Sequence, residues 1–219
     1  MKVKLISYSQ PVSKETEDAQ DLIAYCARVS NPANQNNSET SERLLTYLAK
    51  EKHWSPFEMV SACLEIETTR DIARQILRHR SFSFQEFSQR YANPDEAFAN
   101  TFETREARMQ DKKNRQNSIV VDDIHLQLRW ASAQSRVQKE AETAYKWAID
   151  NGVAKEQARV VLPEGNTISR LYMNGTLRSW IHYIQLRSAN GTQAEHRDIA
   201  IECAVVLKDI FPIITKFIN

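Results

Sequence analysis

The chain predicts an α+β fold: a single domain, residues 1–219, with a small antiparallel sheet flanked by several long helices. Three observations carry this. Val60, Ala62, Leu64 and Ile66 alternate with Ser61, Cys63, Glu65 and Glu67, the period of a strand with one buried face. Residues 118–151 run to Gly152 with apolar side chains at helical spacing, which predicts one or two long helices. No repeat or linker marks off a second domain, and a chain of this length can bury a sizeable core.

Taken in order, residues 2–8 predict a strand, with Val3 and Leu5 alternating with lysines. Residues 16–29 predict a helix from the spacing of Ala19, Leu22, Ile23, Cys26 and Ala27. The polar stretch that follows suits a lid, a subunit contact or a plain surface loop. Ser38–Ser41 then offers a cap for a helix through Leu44, Leu45 and Leu48. His53–Glu58 is a turn into the strand. A short helix, Asp71–His79, carries Arg74, Gln75 and Arg78 together on one face, which reads equally well as solvated charge. Residues 92–117 are polar and irregular. In the long helical stretch, Ile124, Leu128, Ala131, Ala141, Ala144, Tyr145 and Ala148 are placed inward. A short helix over 153–162 holds Arg159 in an apolar run, either snorkelling to solvent or facing an anion. A β-like run, 167–173, leads to a helix, Thr176–Arg187, with Leu177, Trp180, Ile181 and Ile184 buried opposite Arg178, His182 and Gln185. The last helix starts near Thr192 and packs through Ile199, Cys203, Val206, Leu207 and Ile210.

Composition excludes several classes. With 29 Lys and Arg against 28 Asp and Glu, no global field draws the chain to nucleic acid or to a membrane. No window approaches the ~18 apolar residues of a membrane span, and the N-terminus lacks the apolar stretch of a signal peptide. Cys26, Cys63 and Cys203 form no CxxC pair, which points to a reducing, cytoplasmic setting. The five histidines form no HExxH, HxH or Cys/His cluster, so no metal site is expected. The four glycines stand far apart, which rules out GxGxxG and GxxxxGK[ST]. Any nucleotide phosphate must therefore be held by side chains.

Between Arg70 and Arg90, five arginines face only Asp71 and Glu86. The stretch Arg78-His79-Arg80, then seven residues, then Ser88 puts cations, a carboxylate and aromatics close together, as a phosphate and a planar ring require. Ser88 has no GxSxG elbow, and no cysteine has a visible activating partner. Arg78, Arg80, Arg90, Arg159, Arg178 and Arg187, with Gln75, Glu86 and Ser88, supply the inventory of an anionic-ligand site. Pattern alone stops there.

Four blocks carry a resemblance: HWSPFE at 53–58, RHRSFSFQEFSQRY at 78–91, ARVVLP at 158–163 and LRSWIHYIQLRSANGTQAEHRDIA at 177–200. In this order they resemble the flavin-dependent thymidylate synthases, whose hallmark is RHR-x7-S. The resemblance implies a homotetramer that binds FAD, with active sites at subunit interfaces. It implies reductive methylation of dUMP to dTMP, with methylenetetrahydrofolate as carbon donor and NADPH as hydride source, and no protein nucleophile. By motif, Ser30, Ser55, Arg78, His79 and Arg80 match flavin positions, as do Thr176, Leu177, Arg178 and His182. Glu86 is shared between flavin and nucleotide. Gln75, Ile76, Leu77 and Arg78, then Phe87, Ser88, Gln89 and Arg90, with Arg159, match dUMP positions. Arg187 matches the arginine credited with favouring ionisation of pyrimidine N3, and so counts as catalytic and substrate-binding.

Three positions depart from the family pattern. Gln89 stands where many members have glycine, and Thr176 and His182 where asparagine is common. Two other readings use the same residues. One is a flavin-dependent relative that modifies dUMP differently, for instance by hydroxymethylation, separable by its product. The other is a non-enzymatic nucleotide or single-strand RNA module that stacks bases on Phe82, Phe84, Phe87 and Tyr91. Near-neutral charge and the lack of an RRM or KH motif stand against it.

Overall fold

A computed structural model describes residues 2–218. The first half runs β1 (Lys2–Tyr8), α1 (Ala19–Ala27), α2 (Ser41–Lys50), β2 (Ser61–Thr69), α3 (Arg70–Ile76), β3 (Ser83–Glu86) and α4 (Pro94–Ala97). The second runs β4 (Arg108–Gln110), β5 (Ser118–Val120), α5 (Ile124–Asp150), α6 (Lys155–Ala158), β6 (Ile168–Thr176), α7 (Leu177–Ser188) and α8 (Ala194–Leu207). The fold is α+β with small antiparallel sheets. Four strands pair in the order β1-β2-β6-β3, and β4 pairs separately with β5, Met109 opposite Ile119. The chain divides into two compact units: one holds residues up to Ile66, His79–Phe84 and those from Tyr172 on; the other holds Glu67–Arg78 and Gln85–Leu171.

In the first unit the periodicities hold. Ala62, Leu64 and Ile66 are buried along β2, and Leu177, Trp180, Ile181 and Ile184 are buried along α7. Each leucine and isoleucine among them contributes about 1.5–3 kcal/mol by leaving water. Trp180 Nε1 donates to Ala62 O at 3.1 Å, so the indole is buried without losing a hydrogen bond. α7 packs on α8, and α1 on α2. Thr176 is the cap of α7 rather than its first residue.

In the second unit two expectations are corrected. The long stretch is one helix of 27 residues that starts only at Ile124, where Asp123 Oδ1 accepts from Leu126 N at 3.0 Å. Residues 118–120 pair with β4 instead. Ala141, Tyr145 and Ala148 are buried as expected, but Ile124 and Leu128 are 63% and 61% exposed, and Ala131 is exposed too. The reason is a glutamine ladder. Gln127 accepts from Ala107 N at 2.7 Å and donates to Ala107 O at 2.9 Å; Gln134 does the same to Arg105 at 2.9 and 2.8 Å. Gln138 donates to Glu103 O at 3.3 Å. These amides serve alternate residues of an extended segment as a neighbouring strand would, so the inward face here is polar and the apolar face points out.

Helix α3 also stops three residues early, at Ile76. Arg78 N bonds to Gln75 O at 3.4 Å, and Phe82 N to His79 O at 3.2 Å, turning the chain into β3. That strand was not expected from sequence. At the close of the turn Phe82 fills the space above Gly175, where an added Cβ would lie 2.4 Å from Phe82 Cδ1. Gly175→Ala is therefore expected to lower stability by about 1–3 kcal/mol, read from urea denaturation. Phe82→Leu should soften that penalty in the double variant.

Candidate active site

In the first unit HWSPFE folds as a 3-10 turn over Ser55–Glu58, with Pro56 near its start. Glu58 Oε1 accepts from Arg178 Nη1 at 2.7 Å, and Trp54 meets His182 edge-on at 4.7 Å between centroids. Two blocks far apart in sequence thus share one surface. Burial and the Arg178 charge lower the His182 pKa, so this imidazole is neutral at pH 7. Ser55 and Arg80 are exposed, and Leu177 is fully buried. The Thr176 hydroxyl accepts from Ser179 N at 3.4 Å and is committed to the helix cap. Ser30 is exposed in the turn after α1, where Arg28 anchors the following loop through Asn37 O and Thr40 Oγ1.

Near the end of α7, Arg187 Nε donates to His79 Nε2 at 2.9 Å. The His79 ring stands T-shaped on Tyr183 at 4.9 Å, and the Tyr183 hydroxyl lies 3.2 Å from His196 Nε2. Burial, and then Arg187, hold His79 down to about 4. Burial, Arg187 and His79 hold His196 down to about 3. Burial raises Tyr183 well above its usual range. At pH 7 this cluster is neutral around one guanidinium.

In the second unit Glu86 Oε2 lies 3.2 Å from Arg74 Nη1, while Oε1 lies 3.7 Å from Arg70 Nη1 and accepts from Ser169 Oγ at 3.0 Å. Glu164 takes Arg70 Nε and Arg74 Nε at 3.1 Å each. Arg70, Arg74, Glu164 and Ser169 were not assigned from sequence; the i,i+4 spacing of the two arginines was the available signal. Ser88 Oγ accepts from Arg90 N at 3.4 Å. Arg90 Nη2 pairs with Glu156 Oε2 at 3.3 Å, and Arg159 Nε donates to Glu156 O at 3.3 Å. ARVVLP and Ser88–Arg90 therefore meet at Glu156. Phe87 packs edge-on against Phe98 at 4.9 Å.

Gln75 is half-buried, Ile76 fully buried and Leu77 half-buried, so Ile76 offers a ligand its backbone only. Gln89 is buried, and its Nε2 has no hydrogen-bond partner among the described residues. An orphaned buried donor costs about 1–3 kcal/mol, which a ligand acceptor would recover. Arg78 and Arg80 are exposed and enter no ion pair among the described residues. Burial raises all three thiols, with Glu202 adding to the effect at Cys203, so none is a ready thiolate. Among the described residues no three His, Cys, Asp or Glu groups gather as a metal site.

The chain is similar to known proteins over most of its length. The family described as thymidylate synthase complementing protein matches residues 11–213. A probable flavin-dependent thymidylate synthase of Paramecium bursaria Chlorella virus 1 is 48% identical over 219 residues, covering 100% of this chain and 99% of that one. The chain belongs to the flavin-dependent thymidylate synthase family. Another member, from Synechocystis, is 47% identical over 97% of this chain and 96% of its own. Among solved structures, a UMP/dUMP methylase, PolB from Streptomyces cacaoi bound with 5-Br dUMP, superposes with a TM-score of 0.79 at 25% identity, covering 98% of this chain and 93% of that one.

Half-buried His79 and buried His196 both bind a proton less readily folded than unfolded, where the usual value is 6.5. The unfolded chain therefore takes up more protons as pH falls below about 6.5, and folded stability drops. Each contributes a slope of at most about 1.4 kcal/mol per pH unit, ending near pH 4 for His79 and pH 3 for His196. Urea denaturation between pH 7 and 5 should show this loss, and His196→Phe should make the profile shallower.

Proposed function

We propose that this chain is a flavin-dependent thymidylate synthase that methylates dUMP reductively to dTMP. FAD is its cofactor, methylenetetrahydrofolate its carbon donor and NADPH its hydride source. The observation that carries the reading is that the family's separated blocks meet in pairs, HWSPFE with α7 through Glu58–Arg178, and Ser88–Arg90 with ARVVLP through Glu156.

The donor set fits FAD. Arg78 and Arg80 are cations without a counter-charge among the described residues, suited to a pyrophosphate, and Trp54 and His182 offer planar walls. Ser30, Ser55, His79, Thr176, Leu177 and Arg178 complete the assignment, Thr176 and Leu177 through their backbone. FAD bound there supplies the redox chemistry that a chain of these side chains lacks.

Gln75, Ser88, Gln89, Arg90 and Arg159 hold dUMP, with Ile76, Leu77 and Phe87 shaping the segment. Arg70, Arg74 and Ser169 fix the Glu86 carboxylate, so it meets the ligands already oriented. Arg187 stabilises negative charge on the pyrimidine as N3 loses its proton, which makes C5 the nucleophile. No side chain need attack the ring. The three cysteines are raised towards the thiol, and Ser88 Oγ is turned to Arg90 N.

Residues 1–219 act as one functional domain. The chain assembles as a homotetramer with active sites at subunit interfaces. The exposed apolar side chains of α5, Ile124 and Leu128 on one side and Trp130 and Val137 on another, support this, since apolar surface is costly to leave in water. No helix among the described residues is long and apolar enough to cross a membrane, and the enzyme works in the cytoplasm.

The purified protein should carry a flavin absorbance band that NADPH bleaches anaerobically, faster with dUMP present. A chain that takes up no FAD would overturn the reading. Arg187→Ala should keep the fold and flavin but lose about 10²–10³-fold in kcat. Ser88→Ala should raise KM for dUMP by roughly tenfold, about 1.4 kcal/mol, and leave turnover measurable.

A further inference from the structure

A half-buried guanidinium such as that of Arg187 usually meets a carboxylate, which fixes it and also cancels its charge. Arg187 does not. Among the described residues it forms no ion pair within 4.0 Å, and its Nε–H goes to His79 Nε2 at 2.9 Å. A nitrogen that accepts this hydrogen bond carries no proton, so the His79 proton sits on Nδ1 and the ring is neutral. The groups around that ring keep it so. Tyr183 and Arg187 face it from α7, and His196 faces it from α8 at 6.2 Å between ring centroids. Tyr183 and His196 are 1% and 0% exposed and are linked at 3.2 Å, and Cys203 adds a further neutral group beside Tyr183.

We propose that His79 is a positioning residue for Arg187. Its neutral imidazole fixes the guanidinium through Nε2, and the Tyr183–His196 pair braces the ring from behind. The arginine is thus held in place while its positive charge remains available to the pyrimidine. This rests on the reading of Arg187 as the group that stabilises the N3 anion. A neutral acceptor contributes orientation only; an acidic one would give orientation and cancel the field the reaction uses.

The test is the ionisation of 5-fluoro-dUMP bound to FAD-loaded enzyme, followed by its ¹⁹F shift against pH, with kcat and KM for dUMP measured alongside. Wild type should lower the apparent N3 pKa of the bound analogue relative to the free one. Arg187→Ala should abolish that lowering; if it does not, the reading of Arg187 fails and this inference with it. Given that loss, His79→Glu should also remove most of the lowering and cut kcat about tenfold to a hundredfold, with KM changed far less. His79→Gln, which keeps a neutral acceptor, should restore most of both. His79→Glu with an undiminished shift would overturn the positioning role while leaving Arg187 in place. Should the variants not fold, ¹⁵N-histidine spectra of the wild type decide the matter. A neutral His79 protonated on Nδ1 supports the proposal, and one protonated on Nε2 overturns it.

Discussion

A chain without a glycine-rich phosphate cradle must place arginines near its ligands without letting its own carboxylates consume them, and the rest of the site follows from that constraint. It is met in three ways. Arg70 and Arg74 are spent on Glu86 and Glu164, which orients a carboxylate. Arg178 and Arg90 each share one glutamate at the surface, Glu58 and Glu156, where water keeps such pairs weak and exchangeable. Among the described residues Arg78 and Arg80 enter no ion pair, and Arg187 leans on an imidazole. The arginines of the candidate site are thus divided between those held by carboxylates and those that are not.

Much of the fold was legible because burial leaves a period in the sequence. The alternation over 60–67 and the stripe on α7 reported faces that pack in the first unit. The misreadings have a common cause. Gln127, Gln134 and Gln138 face inward on α5 to satisfy backbone groups at 103–107, an arrangement hydropathy cannot register. The turn from α3 into β3 was hidden because Phe82 and Phe84 stood inside a stretch whose polar groups suggested a ligand. Phe82 instead packs on Trp180 and over Gly175.

The candidate site was legible as an inventory and not as an arrangement. The arginines and Ser88 stood out by density, and the order of the blocks pointed to the family. Their partners did not stand out, because Glu58, Glu164 and Ser169 lie 83 to 120 residues away in sequence from the groups they hold. Tyr183 and His196 looked like ordinary members of two apolar helices. Only folding shows that they lie against His79, and the Arg187 hydrogen bond to Nε2 bears on which ring nitrogen carries its proton.

The most direct test of the account is the product formed from dUMP by the FAD-loaded enzyme with NADPH and methylenetetrahydrofolate, separated and weighed by mass spectrometry. The account predicts dTMP, dependent on all three small molecules, with the protein's own mass unchanged throughout turnover. A hydroxymethylated nucleotide, or a covalent protein–pyrimidine adduct that forms and decays with turnover, would contradict it.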